Sequence, residues 1–103
     1  MKSRLVLSPL SLRDLQDIHD YIARDNPDAA SAFLDRVDSR LEMIKEHPQI
    51  GRRREEYPHG VRSITEGNYL IIYRLLTEQN TIEIARVLHS KRNIKRIIKA
   101  DFK

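Results

Sequence analysis

The run YLIIYRLL, Tyr69–Leu76, constrains the fold more than any other stretch of the chain. Read as a strand, it turns Tyr69, Ile71, Tyr73 and Leu75 to one side and Leu70, Ile72 and Leu76 to the other, with Arg74 its only charge. A strand apolar on both faces belongs inside a sheet and needs cover above and below. Left uncovered, one face would be an exposed apolar patch of the kind that marks a binding surface.

The neighbouring runs supply the rest of such a sheet. Residues 61–66 and 81–88 are also rich in β-branched side chains. Gly67-Asn68 and residues 77–80 separate the three runs as turns, which predicts an antiparallel meander. Residues 3–7 (SRLVL) read as a short further strand.

Between them lie two helices. Ser8-Pro9 and Asn26-Pro27 are start signals, each with proline where a missing N–H costs nothing. In the first helix Leu12, Leu15, Ile18 and Ile22 form one apolar arc, with Asp14, Asp17 and Asp20 toward solvent. In the second, Ala30, Phe33, Leu34, Val37, Leu41 and Ile44 form the strongest stripe in the chain. The link at residues 24–26 is short, so the helices form an antiparallel hairpin. His47-Pro48 closes the second helix.

The expected architecture is α+β, β-α-α-β-β-β, as a single domain over residues 1–103. A helical hairpin packs on one face of a small, mainly antiparallel sheet. The hairpin covers only one face of residues 69–76. A partner, a second subunit or the C-terminal tail must cover the other.

That tail, residues 90–103, reads as a short basic helix. Lys91, Lys95 and Lys99 recur every four residues beside Arg92 and Arg96, with Ile94, Ile97 and Ile98 opposite. The charge of the whole chain is correspondingly uneven. Residues 1–50 carry seven Lys and Arg against nine Asp and Glu; residues 51–103 carry twelve against six. The basic half fits an acidic partner, either nucleic acid or an acidic protein segment, and fits plain solubility as well.

Several classes of chemistry are excluded by composition and spacing. The chain has no cysteine, which excludes disulfides and thiolate metal sites and fits a reducing compartment, the cytoplasm. No apolar stretch is long enough for a membrane span, and the N-terminal apolar run is too brief for a signal peptide. Gly51, Gly60 and Gly67 stand too far apart for a phosphate-cradling loop. His19, His47, His59 and His89 lack metal-ligand spacing, so no metal and no cofactor is expected. His19 reads as a boundary residue of the first helix, His47 as a helix cap and His59 as part of a turn. His89 stands beside Ser90-Lys91-Arg92, and it reads either as a strand cap or as a proton carrier. Metal-independent RNA cleavage needs a proton acceptor, a donor and cations that stabilise phosphorane charge. His89, Arg62, Arg86, Lys91 and Arg92 are the residues that would serve it. Arg52-Arg53-Arg54 offers cations in a loop, offset by Glu55 and Glu56.

An ordered set of residues then carries a family resemblance. It begins with Pro9, Asp14-Leu15, Ile18, Tyr21-Ile22, Asn26-Pro27, Ala30 and Phe33. It continues with His47-Pro48-Gln49-Ile50-Gly51-Arg52 and Gly60-Val61-Arg62-Ser63. It ends with Gly67-Asn68-Tyr69, Ile72-Tyr73-Arg74 and Ile84-Ala85-Arg86-Val87-Leu88-His89. In this order the chain resembles the ParE toxins of the ParE/RelE type II toxin–antitoxin superfamily.

The resemblance implies a toxin that binds and inhibits DNA gyrase, arrests growth and serves plasmid stabilisation. It implies neutralisation by a ParD-like antitoxin whose acidic C-terminal segment wraps the toxin in a hetero-oligomer. The candidates for target or antitoxin contact are Arg52, Arg53, Arg62, Tyr73, Arg74, Arg86, His89, Lys91 and Arg92. The alternative is a RelE-like ribosome-dependent mRNA endoribonuclease. Similar nucleases tend to have an arginine after the aromatic that opens the middle strand, and often a late tyrosine. Here Leu70 follows Tyr69, and no tyrosine follows Tyr73. Lys91 and Arg92 do match the basic turn after the last strand.

Overall fold

A computed structural model describes residues 4–57 and 60–101. The N-terminal strand β1 (Arg4–Leu7) leads into helices α1 (Pro9–Ala23) and α2 (Pro27–Glu46). Strands β2 (Arg52–Arg53), β3 (Val61–Glu66), β4 (Tyr69–Leu76) and β5 (Thr81–His89) follow, and helix α3 (Ile94–Asp101) comes last. The expected α+β order stands, with β2 added. Ser3, His59 and residues 102–103, which the sequence places in a strand, a turn and the basic tail, lie outside the described residues.

Both long helices start as their caps dictate. The Ser8 hydroxyl accepts the Ser11 N–H at 3.0 Å, the Asn26 side chain accepts the Ala29 N–H at 3.0 Å, and proline fills the first helical position each time. The His47 N–H closes α2 on the Met43 carbonyl at 2.8 Å.

The sheet order is β1-β5-β4-β3-β2. β1 runs parallel to β5, and the other pairs are antiparallel. Gly67 takes φ +58°, the left-handed region suited to the first central residue of a two-residue hairpin turn. β2 is a correction to the sequence reading, which left the arginine run in a loop. Its pairing, Arg52 with Ser63 and Arg53 with Arg62, is imposed by β3 rather than by any local pattern.

A bulge interrupts β5. Ile72 pairs with Arg86 and Tyr73 with Ile84, so Ala85 is the extra residue. The bulge shifts the phase of the strand. Ile82, Ile84 and Val87 all face the helical hairpin, where they pack with Ile71, Tyr73, Phe33, Val37 and Ile44. Ala85 and Leu88 face the other side, with Val61, Leu70 and Ile72.

On that second side, α3 supplies the cover. Ile98 is fully buried against the five residues just named, with Ile94, Ile97 and Tyr57 at the margin. The apolar strand that called for a partner is therefore covered by the chain's own tail. The need for a partner no longer follows from β4.

Two features of α1 and α2 also depart from the helical pattern. Leu12, assigned to the apolar arc, is 55% exposed, whereas Asp14, assigned to solvent, is 8% exposed. On α2, Arg36 and Arg40 clamp the buried Glu66 carboxylate at 3.1 and 3.2 Å, which ties the end of β3 to the helix.

Candidate functional site

β1 accompanies β5 only as far as Ile84, where Leu7 is its last partner. Beyond it the backbone edge of β5 would be unpaired, and α1 takes over. The Ser8 hydroxyl donates to the Ala85 carbonyl at 2.8 Å, and the Val87 N–H donates to Asp14 Oδ2 at 3.0 Å. Two side chains at the start of a helix thus substitute for the missing strand.

Asp14 also holds Arg86. Arg86 Nε donates to Asp14 Oδ2 at 2.7 Å and a terminal nitrogen to Oδ1 at 2.9 Å, a bidentate pair. The other terminal nitrogen donates to Asp101 Oδ2 of α3 at 2.9 Å. Hydrogen bonding to Asp14 first, and to Asp101, raises the Arg86 pKa above the ordinary arginine value against the opposing effect of burial. This cluster joins α1, β5 and α3.

Past Val87, α1 and β5 diverge and a cleft of about 370 Å³ opens. Asp17, Ile18 and Tyr21 of α1 form one wall; Tyr69, His89 and Arg92 form the other. Tyr69 lies between Phe33 and His89, tilted at 60° to the first and edge-on at 79° to the second, with ring centroids 5.2 Å away on each side. His89 Nδ1 accepts the Lys91 N–H at 3.1 Å, so the neutral ring carries its proton on Nε2. The Arg92 N–H donates to the His89 carbonyl at 3.0 Å. These two bonds order the turn after β5 and set Arg92 at the mouth of the cleft. Tyr21, 67% exposed, stands opposite. The arrangement suits an extended polypeptide: aromatic walls, an acid on one rim and a base on the other. Among the described residues, no group of three His, Asp or Glu could hold a metal ion.

The remaining candidates lie elsewhere. Arg62 pairs with Tyr73, and His89 with Tyr69. The two are thus separated by about 13 Å along β4 and about 10 Å across the strands. An Arg62 terminal nitrogen donates to the carbonyls of Gln49 (3.2 Å) and Gly51 (3.0 Å). Arg74 is tied to Glu83 at 2.9 Å. Arg52 and Arg53 are exposed on the β2 edge. Tyr73 is fully buried and presents no surface to a partner. Of the nine contact candidates, the structure gathers His89 and Arg92 at the cleft, with Lys91 in the turn between them and Arg86 bound to Asp14 of the cleft lining. Sequence reasoning missed Asp14, Ser8, Tyr21 and Tyr69 as parts of this site. The available signal was Arg86 itself: an arginine inside an apolar strand calls for a buried carboxylate.

Tyr73 instead latches the 47–54 loop. Its hydroxyl donates to the Pro48 carbonyl and accepts the Gly51 N–H, both at 2.8 Å. A Cβ on Gly51 would meet the Tyr73 hydroxyl oxygen at 2.6 Å, so glycine is required by this contact. Burial pushes the Tyr73 pKa above its usual 10.0, partly opposed by the Gly51 N–H and Arg62. Tyr73→Phe leaves the buried Gly51 N–H without an acceptor and should cost about 1–3 kcal/mol. A raised pKa means that stability from the neutral hydroxyl is complete below about pH 10 and is lost as pH rises further. Wild type should therefore lose Tm faster than Tyr73→Phe as pH rises above about 10. Parallel curves would show that Tyr73 does not control this range.

Comparison with known proteins agrees with the fold and its order. Residues 5–94 match the family model described as the ParE toxin of the type II toxin-antitoxin system, parDE. Toxin ParE1 of Mycobacterium tuberculosis is 32% identical over 97 residues, covering 93% of this chain and 98% of the relative. Among solved structures, the chromosomal ParDE system of P. aeruginosa superposes with TM-score 0.72 at 21% identity, covering 85% of this chain and 96% of that one. A mutant form of the E. coli toxin RelE in the free state gives TM-score 0.72 at 14% identity, covering 97% and 96%. At these identities the structures share the fold.

Proposed function

Because the chain belongs to the ParE toxin family of type II toxin–antitoxin systems, we propose that it inhibits DNA gyrase by binding, in the cytoplasm. A ParD-like antitoxin with an acidic C-terminal segment neutralises it in a hetero-oligomer. The observation that carries this reading is the state of Arg86. Its guanidinium puts three of its five N–H donors on two carboxylates, whose negative charge offsets the positive charge that a phosphorane would need. Arg62 is likewise engaged with backbone carbonyls. A binding toxin needs neither residue for chemistry.

The cleft supports an antitoxin as its occupant. An extended acidic segment lying along it would meet Arg92 at the mouth and aromatic rings on the walls. Purified, folded chain should block supercoiling or accumulate cleaved DNA in a gyrase assay. Undiminished gyrase activity at saturating chain would overturn the reading. Arg92→Ala should retain the wild-type Tm, because Arg92 is exposed and makes no ion pair among the described residues, while weakening neutralisation by the antitoxin.

One observation favours ribosome-dependent mRNA cleavage as the second reading: His89, Lys91 and Arg92 share one turn beside Tyr69. That reading requires transcripts cut within codons after induction. Intact transcripts alongside halted DNA synthesis would exclude it.

A further inference from the structure

We infer that the outer face of α3 and the turn before it form a docking surface for duplex DNA, contacted through phosphates without regard to sequence. This goes beyond the gyrase reading and does not depend on it. Lys91, Arg92, Lys95, Arg96 and Lys99 are all exposed, and none makes an ion pair among the described residues. At about 100° per residue, Lys95, Arg96 and Lys99 fall within one arc of about 100°. Ile94, Ile97 and Ile98 lie on the opposite side, against the sheet.

No acidic residue occurs between Glu83 and Asp101. Asp101, the one carboxylate of α3, is spent on Arg86 at 2.9 Å. The surface is therefore purely cationic. Lys95 and Lys99 are separated by about 6 Å along the helix, close to the roughly 7 Å axial spacing of alternate phosphates on one strand.

The composition of the face selects the partner. Protein interfaces are built on apolar and aromatic anchors and are depleted of lysine. Here every isoleucine of α3 is turned inward, and the outer face offers cations beside Ser90, Asn93 and Ala100, with no large apolar or aromatic anchor. Single-stranded nucleic acid is held by a series of aromatic side chains on which bases stack. Residues 90–101 contain no aromatic, and the tail's Phe102 lies outside the described residues. What remains is contact with the regular phosphate array of a duplex.

The test uses the whole chain and a labelled mixed-sequence duplex of about 20 base pairs, with anisotropy read between about 50 and 200 mM salt. With four or five phosphates neutralised, log K should fall against log salt with a slope of about −4. Lys95→Ala/Lys99→Ala should make that slope shallower by about 2 and weaken binding at least about tenfold near 100 mM salt. Both positions are exposed, so the Tm should stay at the wild-type value. Arg13→Ala/Arg24→Ala, which removes the same charge from around α1, should change neither slope nor affinity. The inference is overturned by absence of duplex binding at about 50 mM salt, or by a slope that the α3 variant leaves unchanged. It is equally overturned by tighter binding of polyglutamate or of single-stranded DNA of the same length.

Discussion

Asp14→Ala should be among the most destabilising substitutions at any polar position. Removing the carboxylate leaves Arg86, whose side chain is 13% exposed, with Asp101 as its only partner. It also leaves the buried Val87 N–H without an acceptor. Removing one partner of a buried ion pair costs about 3–5 kcal/mol. For a chain of this size that is a large part of the total stability and lowers the Tm by at least about 12 °C. Asp17→Ala, one turn along the same helix at an exposed position, is the control and should stay within about 0.5 kcal/mol. Asp14→Asn keeps an acceptor for Val87 and should fall between the two. The double variant Asp14→Ala/Arg86→Ala should lose less than the sum of the single losses, since neither residue then faces an unpaired charge. A Tm for Asp14→Ala equal to that of Asp17→Ala would show that this triad does not hold α1 to β5. Loss of toxicity in Asp14→Ala should accompany unfolding, because Asp14 acts by fixing the cleft.

The burial of Asp14 also shows where the sequence stops being informative. Leu15, Ile18 and Ile22 define the centre of the buried arc of α1. Asp14 and Leu12 sit on its two flanks, each about 70–90° from the centre. A helical wheel cannot rank the flanks. The side that meets β5 is buried whatever its polarity, and it holds a residue 72 positions away from its partner. Local signals fared differently. The proline-marked caps, the α2 stripe and the hairpin turns are decided by neighbours in sequence, and they appear where the pattern places them. The bulge lies between these cases. In TIEIARVLH the apolar period slips between Ile84 and Val87, a visible signal of an extra residue. His89, Lys91 and Arg92 were legible as a basic turn. Tyr21 and Tyr69 join them only because α1 crosses beside the end of β5, which no short-range pattern encodes.

The second large effect belongs to the other face of the sheet, for which sequence left three possible covers open. Ile98→Ala removes the one fully buried side chain of α3. The cavity alone should cost about 2–4 kcal/mol. The consequence should go further, because a helix of eight residues has little stability apart from its docking. When α3 lifts, Asp101 leaves Arg86, and Leu70, Ile72, Ala85 and Leu88 meet water together. The variant should therefore show a Tm lower by about 8 °C or more, increased binding of an apolar dye, and fast amide exchange across α3. Lys99→Ala, next in sequence but facing solvent, should show none of these. Adding Asp101→Ala to Ile98→Ala should cost less than Asp101→Ala alone, since the undocked helix has already surrendered that ion pair. Slow exchange in α3 together with full additivity of the two losses would mean that the helix stays seated without Ile98. The cover of β4 would then rest on Ile94, Ile97 and Tyr57 instead.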